Sequence, residues 1–177
     1  ACFSPEHRSD ALRQQWKVTP ETKVMLYVGR LSPEKEIEVV VNAYMAMKRA
    51  TRQDVKLVIV GDGPDRSRLE MLCQSHDVIF MGNLSGLNLA QAYASANVFV
   101  FASQVETFGN VVLEAMASGL PVIAYDYASA HLHVKNGETG WLSPLGRMDK
   151  LIQSIDQLPN NQQLKYMGIK AREAVQD

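Results

Sequence analysis

Cysteine is scarce: Cys2 and Cys73 are the only two in 177 residues. They lack metal-ligand spacing, and one pair in a chain this long is no disulfide framework, so the sequence reads as a cytoplasmic protein with reduced thiols. Long hydrophobic runs are missing as well. No stretch approaches the roughly 18 apolar residues that span a bilayer, and no basic segment followed by an apolar one opens the chain. Charge of one sign is not in excess either: a formal net charge of -1 argues against a nucleic-acid-binding surface spread over the whole chain, so any basic site must be local. Low-complexity segments and internal repeats are absent. With 46% hydrophobic and 21% charged residues the composition is that of an ordinary globular domain, and a chain of this length can bury about two-thirds of the surface it exposes when unfolded. It begins at Ala1 with the irregular, polar ACFSPEHRSD, which reads as the start of a piece cut from a longer protein.

What is present is alternation. Short β-branched runs at Val24 to Val28, Val55 to Val60, Val78 to Met81, Val98 to Phe101 and Val122 to Tyr125, with a weaker one at Gly140 to Leu142, are almost wholly apolar, as strands covered on both faces are. Between them lie helical periodicities. Ser32 and Pro33 offer a cap and first turn for Ile37, Val40, Val41, Tyr44 and Met47; Pro64 opens a segment carrying Leu69 and Leu72; Leu87 to Ala94, Asn110 to Ala117 and Met148 to Leu158 follow. This order predicts an α/β fold, a Rossmann-like doubly wound parallel sheet of about six strands between two helical layers. Ligands of such sheets sit outside the carboxyl ends of the strands, so the loops GRLSPEK, GDGP, GNLSG, SQVETFGN and DYASAH are where chemistry is expected.

In the first loop Arg30 and Lys35 stand five residues apart across a strand-to-helix turn. A guanidinium fork and an ammonium beside a helix start suit a diphosphate, though the same two residues also read as solvated charges neighboured by Glu34 and Glu36. Gly61-Asp62-Gly63-Pro64 resembles a dinucleotide fingerprint only in part, because Arg66 stands where the third glycine would be; a tight turn into a helix is the simpler reading. In the fourth loop, Glu106 precedes a helix and Glu114 lies on it. On one continuous helix the two would point about 80° apart; with Glu106 in the loop they can face one ligand from different heights, accepting hydrogen bonds from sugar hydroxyls while the amides of Phe108, Gly109 and Asn110 face an anion. Glu114 is set among Val111, Val112, Leu113, Ala115 and Met116, where a carboxylate needs partners. His131 and His133 stand two apart without a third ligand, so no metal site is assigned.

In this order, VGRLSPEK, LVIVGDGP, VIFMGNL, VFVFASQVETFGNVVLEAMASGLPVIAYD and NGETGWL resemble the C-terminal, donor-binding domain of the retaining nucleotide-sugar glycosyltransferases, the group 1 enzymes of the GT-B fold with their Glu-x7-Glu motif. The resemblance covers Val24 to Leu142 and extends towards the end, and ACFSPEHR is similar to the segment after the interdomain hinge; it implies a post-hinge segment over 1–20 and a single nucleotide-sugar-binding domain over 21–177. By that resemblance Arg30 and Lys35 bind the donor diphosphate beside Gly29, Glu114 the ribose hydroxyls and Glu106 the transferred sugar, with Phe108, Gly109 and Asn110 around sugar and phosphate. Base contacts come from the neighbourhood of Gly61, Asp62, Gly82, Asn83 and Leu84. It further implies metal-independent transfer of a hexose, mannose or glucose, from a nucleoside diphosphate sugar to an acceptor held by an N-terminal domain of the same enzyme.

Two departures stand out. Members often carry glycine where Glu36 stands, and a glycine pair after the fifth strand where this chain has Tyr127-Ala128-Ser129-Ala130; the second variant resembles members using GDP-mannose. A non-catalytic nucleotide-sugar-binding module is the alternative on the same residues. The broken glycine fingerprint disfavours an NAD-dependent oxidoreductase, and a purely structural domain predicts no nucleotide affinity.

Overall fold

The computed structural model describes residues 2–74, 77–105 and 110–176. Six strands form one sheet: β1 (Lys23–Val28), β2 (Val55–Val60), β3 (Val78–Phe80), β4 (Val98–Phe101), β5 (Val122–Tyr125) and β6 (Gly140–Ser143). They lie in the order β3-β2-β1-β4-β5-β6, and every pairing is parallel. Every residue of β1, β4 and β5 is buried, which is why, after Lys23, these strands read as apolar runs rather than alternating ones. The Rossmann-like sheet expected from the sequence is therefore present.

The helices are α1 (Asp10–Gln15), α2 (Ile37–Thr51), α3 (Arg66–Leu72), α4 (Gly86–Ala94), α5 (Asn110–Ala117), α6 (Ala128–His133), α7 (Met148–Asp156) and α8 (Asn161–Val175). The step from β1 to β2 runs one way along the sheet and the step from β4 to β5 the other, so right-handed crossovers put α2 and α5 on opposite faces. α7 packs with α2, and α8 with α5, completing the two layers. No helix among the described residues is long and apolar enough to cross a membrane.

The stretch ACFSPEHRSD, read from its polarity as irregular, holds a 3-10 turn over Pro5–His7. It leads into α1, which the sequence did not suggest; α1 is capped by the Ser9 hydroxyl on the Leu12 amide and is held in place by Arg13. That buried guanidinium donates to the carbonyls of Ser95 (2.6 Å), Thr19 (2.8 Å) and Thr22 (3.0 Å). The sequence pattern also misplaced the start of α2. Pro33–Lys35 forms a separate 3-10 turn, Ser32 donates its hydroxyl to Glu34 Oε1 at 2.8 Å instead of capping a helix, and the α-helix begins only after Glu36.

Candidate donor site at the switch of the sheet

Connections leave β1 and β4 in opposite directions, so the crevice outside their carboxyl ends is the topological switch point where ligands of such sheets bind. Gly29-Arg30 follows β1 and Ala102–Val105 follows β4. The backbones there step across the sheet in register: the Gly29 amide donates to Val60 O at 3.0 Å and the Gly61 amide to Gly82 O at 2.8 Å. A Cβ on Gly61 would overlap the Gly29 carbonyl oxygen, and its φ of +140° is one that side chains rarely adopt. Glycine is needed here because two loop backbones touch.

Arg30 is exposed, and its carbonyl is fixed by the Tyr27 hydroxyl at 3.1 Å. Lys35 is half-buried, with its ammonium 5.9 Å from the centre of the Phe101 ring at the end of β4. Among the described residues no carboxylate lies within ion-pairing distance of either cation. Nearby Glu34 is held below the usual carboxylate range by the Ser32 hydrogen bond, with help from Lys35 and Arg30.

Glu114 is half-buried on α5 and accepts a hydrogen bond from the fully buried Tyr93 hydroxyl at 3.0 Å. Burial pushes the Glu114 carboxyl up and the Tyr93 bond partly counters it. The Tyr93 phenol is itself raised by burial and by the adjacent carboxylate. One oxygen of Glu114 is thus anchored, which supplies the partner its apolar setting demands. Tyr93 was missed in the sequence because it lies 21 residues away on another helix.

Asp62 is committed locally: it accepts from the Gly63 amide at 2.8 Å and from Arg66 at 3.1 Å, and these contacts, the Gly63 amide first, lower its carboxyl. Arg66, noted in the sequence only for breaking the fingerprint, pairs also with Glu70 at 2.8 Å. A Cβ at Gly82 would meet the Arg66 guanidinium, so Gly61, Asp62, Arg66 and Gly82 form one patch beyond β2 and β3. Asn83 is exposed and Leu84 packs against the core. Asn110 opens α5 and is exposed. Glu106, Phe108 and Gly109 lie outside the described residues.

Both departures in the loops fall on left-handed backbone. Glu36 has φ +51° and Ala128 has φ +52°, so each loop keeps a conformation that glycine adopts without strain. Beyond Ala128, His131 Nδ1 lies 2.6 Å from Asp126 Oδ1.

Comparison with known proteins agrees with this architecture. The profile of the family described as glycosyl transferases group 1 matches residues 8–174. The chain is 39% identical over 175 residues to a GDP-mannose-dependent alpha-mannosyltransferase of Mycobacterium tuberculosis, covering 98% of this chain and 43% of that protein. It is 34% identical to the sulfoquinovosyl transferase SQD2 of Arabidopsis thaliana, over 97% of this chain and 34% of that one. Among solved structures, the sucrose-phosphate synthase of Thermosynechococcus elongatus superposes with a TM-score of 0.80 at 32% identity, covering 99% of this chain and 46% of that one. The chain belongs to the group 1 glycosyltransferase family and has the Rossmann-like fold found in GT-B glycosyltransferases. It spans less than half the length of these relatives.

Proposed function

We propose that this chain is the donor-binding domain of a retaining hexosyltransferase, taking GDP-mannose in preference to other nucleotide sugars and passing the sugar to an acceptor held by a further N-terminal domain. The observation that carries this reading is Lys35: an ammonium at the switch point, over the Phe101 ring, with no carboxylate within ion-pairing distance among the described residues and Glu34 acting on it only from further off. Such a cation has little structural use where it stands and is poised for a ligand's negative charge. The likeness to a GDP-mannose-dependent alpha-mannosyltransferase supports the choice of donor.

The chemistry follows from charge. Breaking the bond from sugar to diphosphate leaves an oxocarbenium-like sugar and builds negative charge on the departing phosphate. Arg30 and Lys35 neutralise that charge without a metal ion, Glu114 accepts hydrogen bonds from the ribose hydroxyls through its free oxygen, and Glu106 positions the transferred sugar. The acceptor hydroxyl attacks from the leaving-group side and gives its proton to the leaving phosphate, which retains the anomeric configuration.

Removal of one preorganised charge-stabilising group typically costs about 2.7–4 kcal/mol, or 10²–10³ in rate. Thermal-shift titration of the chain with GDP-mannose, UDP-glucose and ADP-glucose tests the donor, since a ligand that binds only the folded state raises the melting temperature. The expected result is stabilisation selective for GDP-mannose and largely lost in Lys35→Ala. No stabilisation by any nucleotide sugar would overturn the function, and selectivity for a uridine or adenosine donor would overturn the mannosyl reading.

A further inference from the structure

This chain carries Glu36 in left-handed backbone (φ +51°, ψ +38°), an arrangement that costs a side-chain-bearing residue conformational energy. The side chain has a specific use. Glu36 Oε2 accepts a hydrogen bond from Gln104 Nε2 at 2.7 Å, across 68 residues of sequence. Gln104 is itself anchored, because the buried Ser103 hydroxyl accepts from the Val105 amide at 3.1 Å and closes a turn around it. A Cβ added at Gly146, in the loop before α7, would lie 4.0 Å from the Gln104 side-chain oxygen. The bond therefore ties the loop after β1 to the loop after β4, at a point where the loop after β6 also converges.

Lys35 is the residue next to Glu36, and its ammonium sits over Phe101 at the end of the same β4. Within the 3-10 turn the Lys35 amide donates to Ser32 O at 3.0 Å and the Glu36 amide to Pro33 O at 3.1 Å, bonds that shape the loop but do not tie it to β4. We infer that the Glu36–Gln104 hydrogen bond is a positioning device that holds Lys35 against β4 for the donor diphosphate. This rests on the diphosphate-binding role proposed above for Lys35. The left-handed strain at Glu36 is retained because a glycine there would supply the backbone turn but not the tether.

The test is calorimetric titration of the chain with GDP and with GMP, alongside melting temperatures. Glu36→Gly should weaken GDP binding by about tenfold, leave GMP binding within about twofold, and melt at or above the wild-type temperature because glycine relieves the strain. Gln104→Ala should do the same to GDP, and the double substitution should be no worse than either alone, as for two residues acting through one bond. Glu36→Gln keeps an oxygen acceptor for Gln104 and should restore wild-type affinity. Unchanged GDP binding in Glu36→Gly, additive losses in the double variant, or a Glu36→Gln as weak as Glu36→Gly would each overturn the inference while leaving the donor-binding role intact. A wild-type chain that binds neither nucleotide would overturn both.

Discussion

Glu114 shows how a single side chain can be costly to the fold where the proposed site calls for it. Its carboxyl is raised above the ordinary 4.5 by burial, against the opposing hydrogen bond from Tyr93. An acid whose folded value is raised binds its proton more tightly when folded. The ionised form therefore destabilises the protein above the raised value, and the penalty fades as pH falls to 4.5. Glu114→Gln keeps an oxygen for Tyr93 and removes the charge, so it should be more stable than wild type in urea at pH 7 and match it at about pH 4. Equal stability at both pH values would show that burial of this carboxylate costs nothing. The residue scale was only partly legible. Glu114 stood out because a carboxylate among Val111, Val112, Ala115 and Met116 needs a partner, whereas Tyr93 could not be named because helix packing, not spacing, brings it there.

At the scale of elements, strands were legible and helix beginnings were not. β1, β4 and β5 are buried on both faces, so apart from Lys23 at the start of β1 their sequence is apolar and reads as strand. α2 was placed too early because Ser32-Pro33 carries the chemistry of a helix start, yet Ser32 bonds Glu34 and the backbone turns left-handed at Glu36 before the helix begins. α1 escaped notice for another reason: six residues give too little periodicity. Its hold on the sheet is tertiary, through Arg13. Arg13→Ala would strip donors from three carbonyls at once, each left unsatisfied at about 1–3 kcal/mol where buried. The expected loss is therefore roughly 3 kcal/mol or more in urea unfolding. A loss below about 1 kcal/mol would mean that water replaces the guanidinium and that α1 is held by apolar contacts alone.

For the whole molecule, the donor site proposed above belongs at the switch point outside the carboxyl ends of β1 and β4. A cavity of about 650 Å³ between Pro20, Asn97 and Leu120 lies at the opposite, amino-terminal end of the strands, away from where such sheets bind ligands. The chain covers 43% of the mannosyltransferase it resembles, and the function proposed above puts the acceptor on a further N-terminal domain. Incubated alone with GDP-mannose and a mannoside acceptor, it should bind donor yet form no transfer product above the hydrolysis background. Efficient transfer by this chain alone would place an acceptor site within it.

The sequence by itself determined the layer architecture, the parallel sheet and the loops in which to seek a ligand, because burial on both faces and glycine at close backbone approaches leave local chemical signatures. Only the tertiary structure decided which side chains meet. The hydrogen bond from Gln104 to Glu36, the hydroxyl of Tyr93 on Glu114 and the bond from Arg13 to the Ser95 carbonyl join residues 68, 21 and 82 apart, separations that carry no signal. Such contacts arise from crossover handedness and helix packing, which bring distant positions within hydrogen-bond reach only after the sheet has formed.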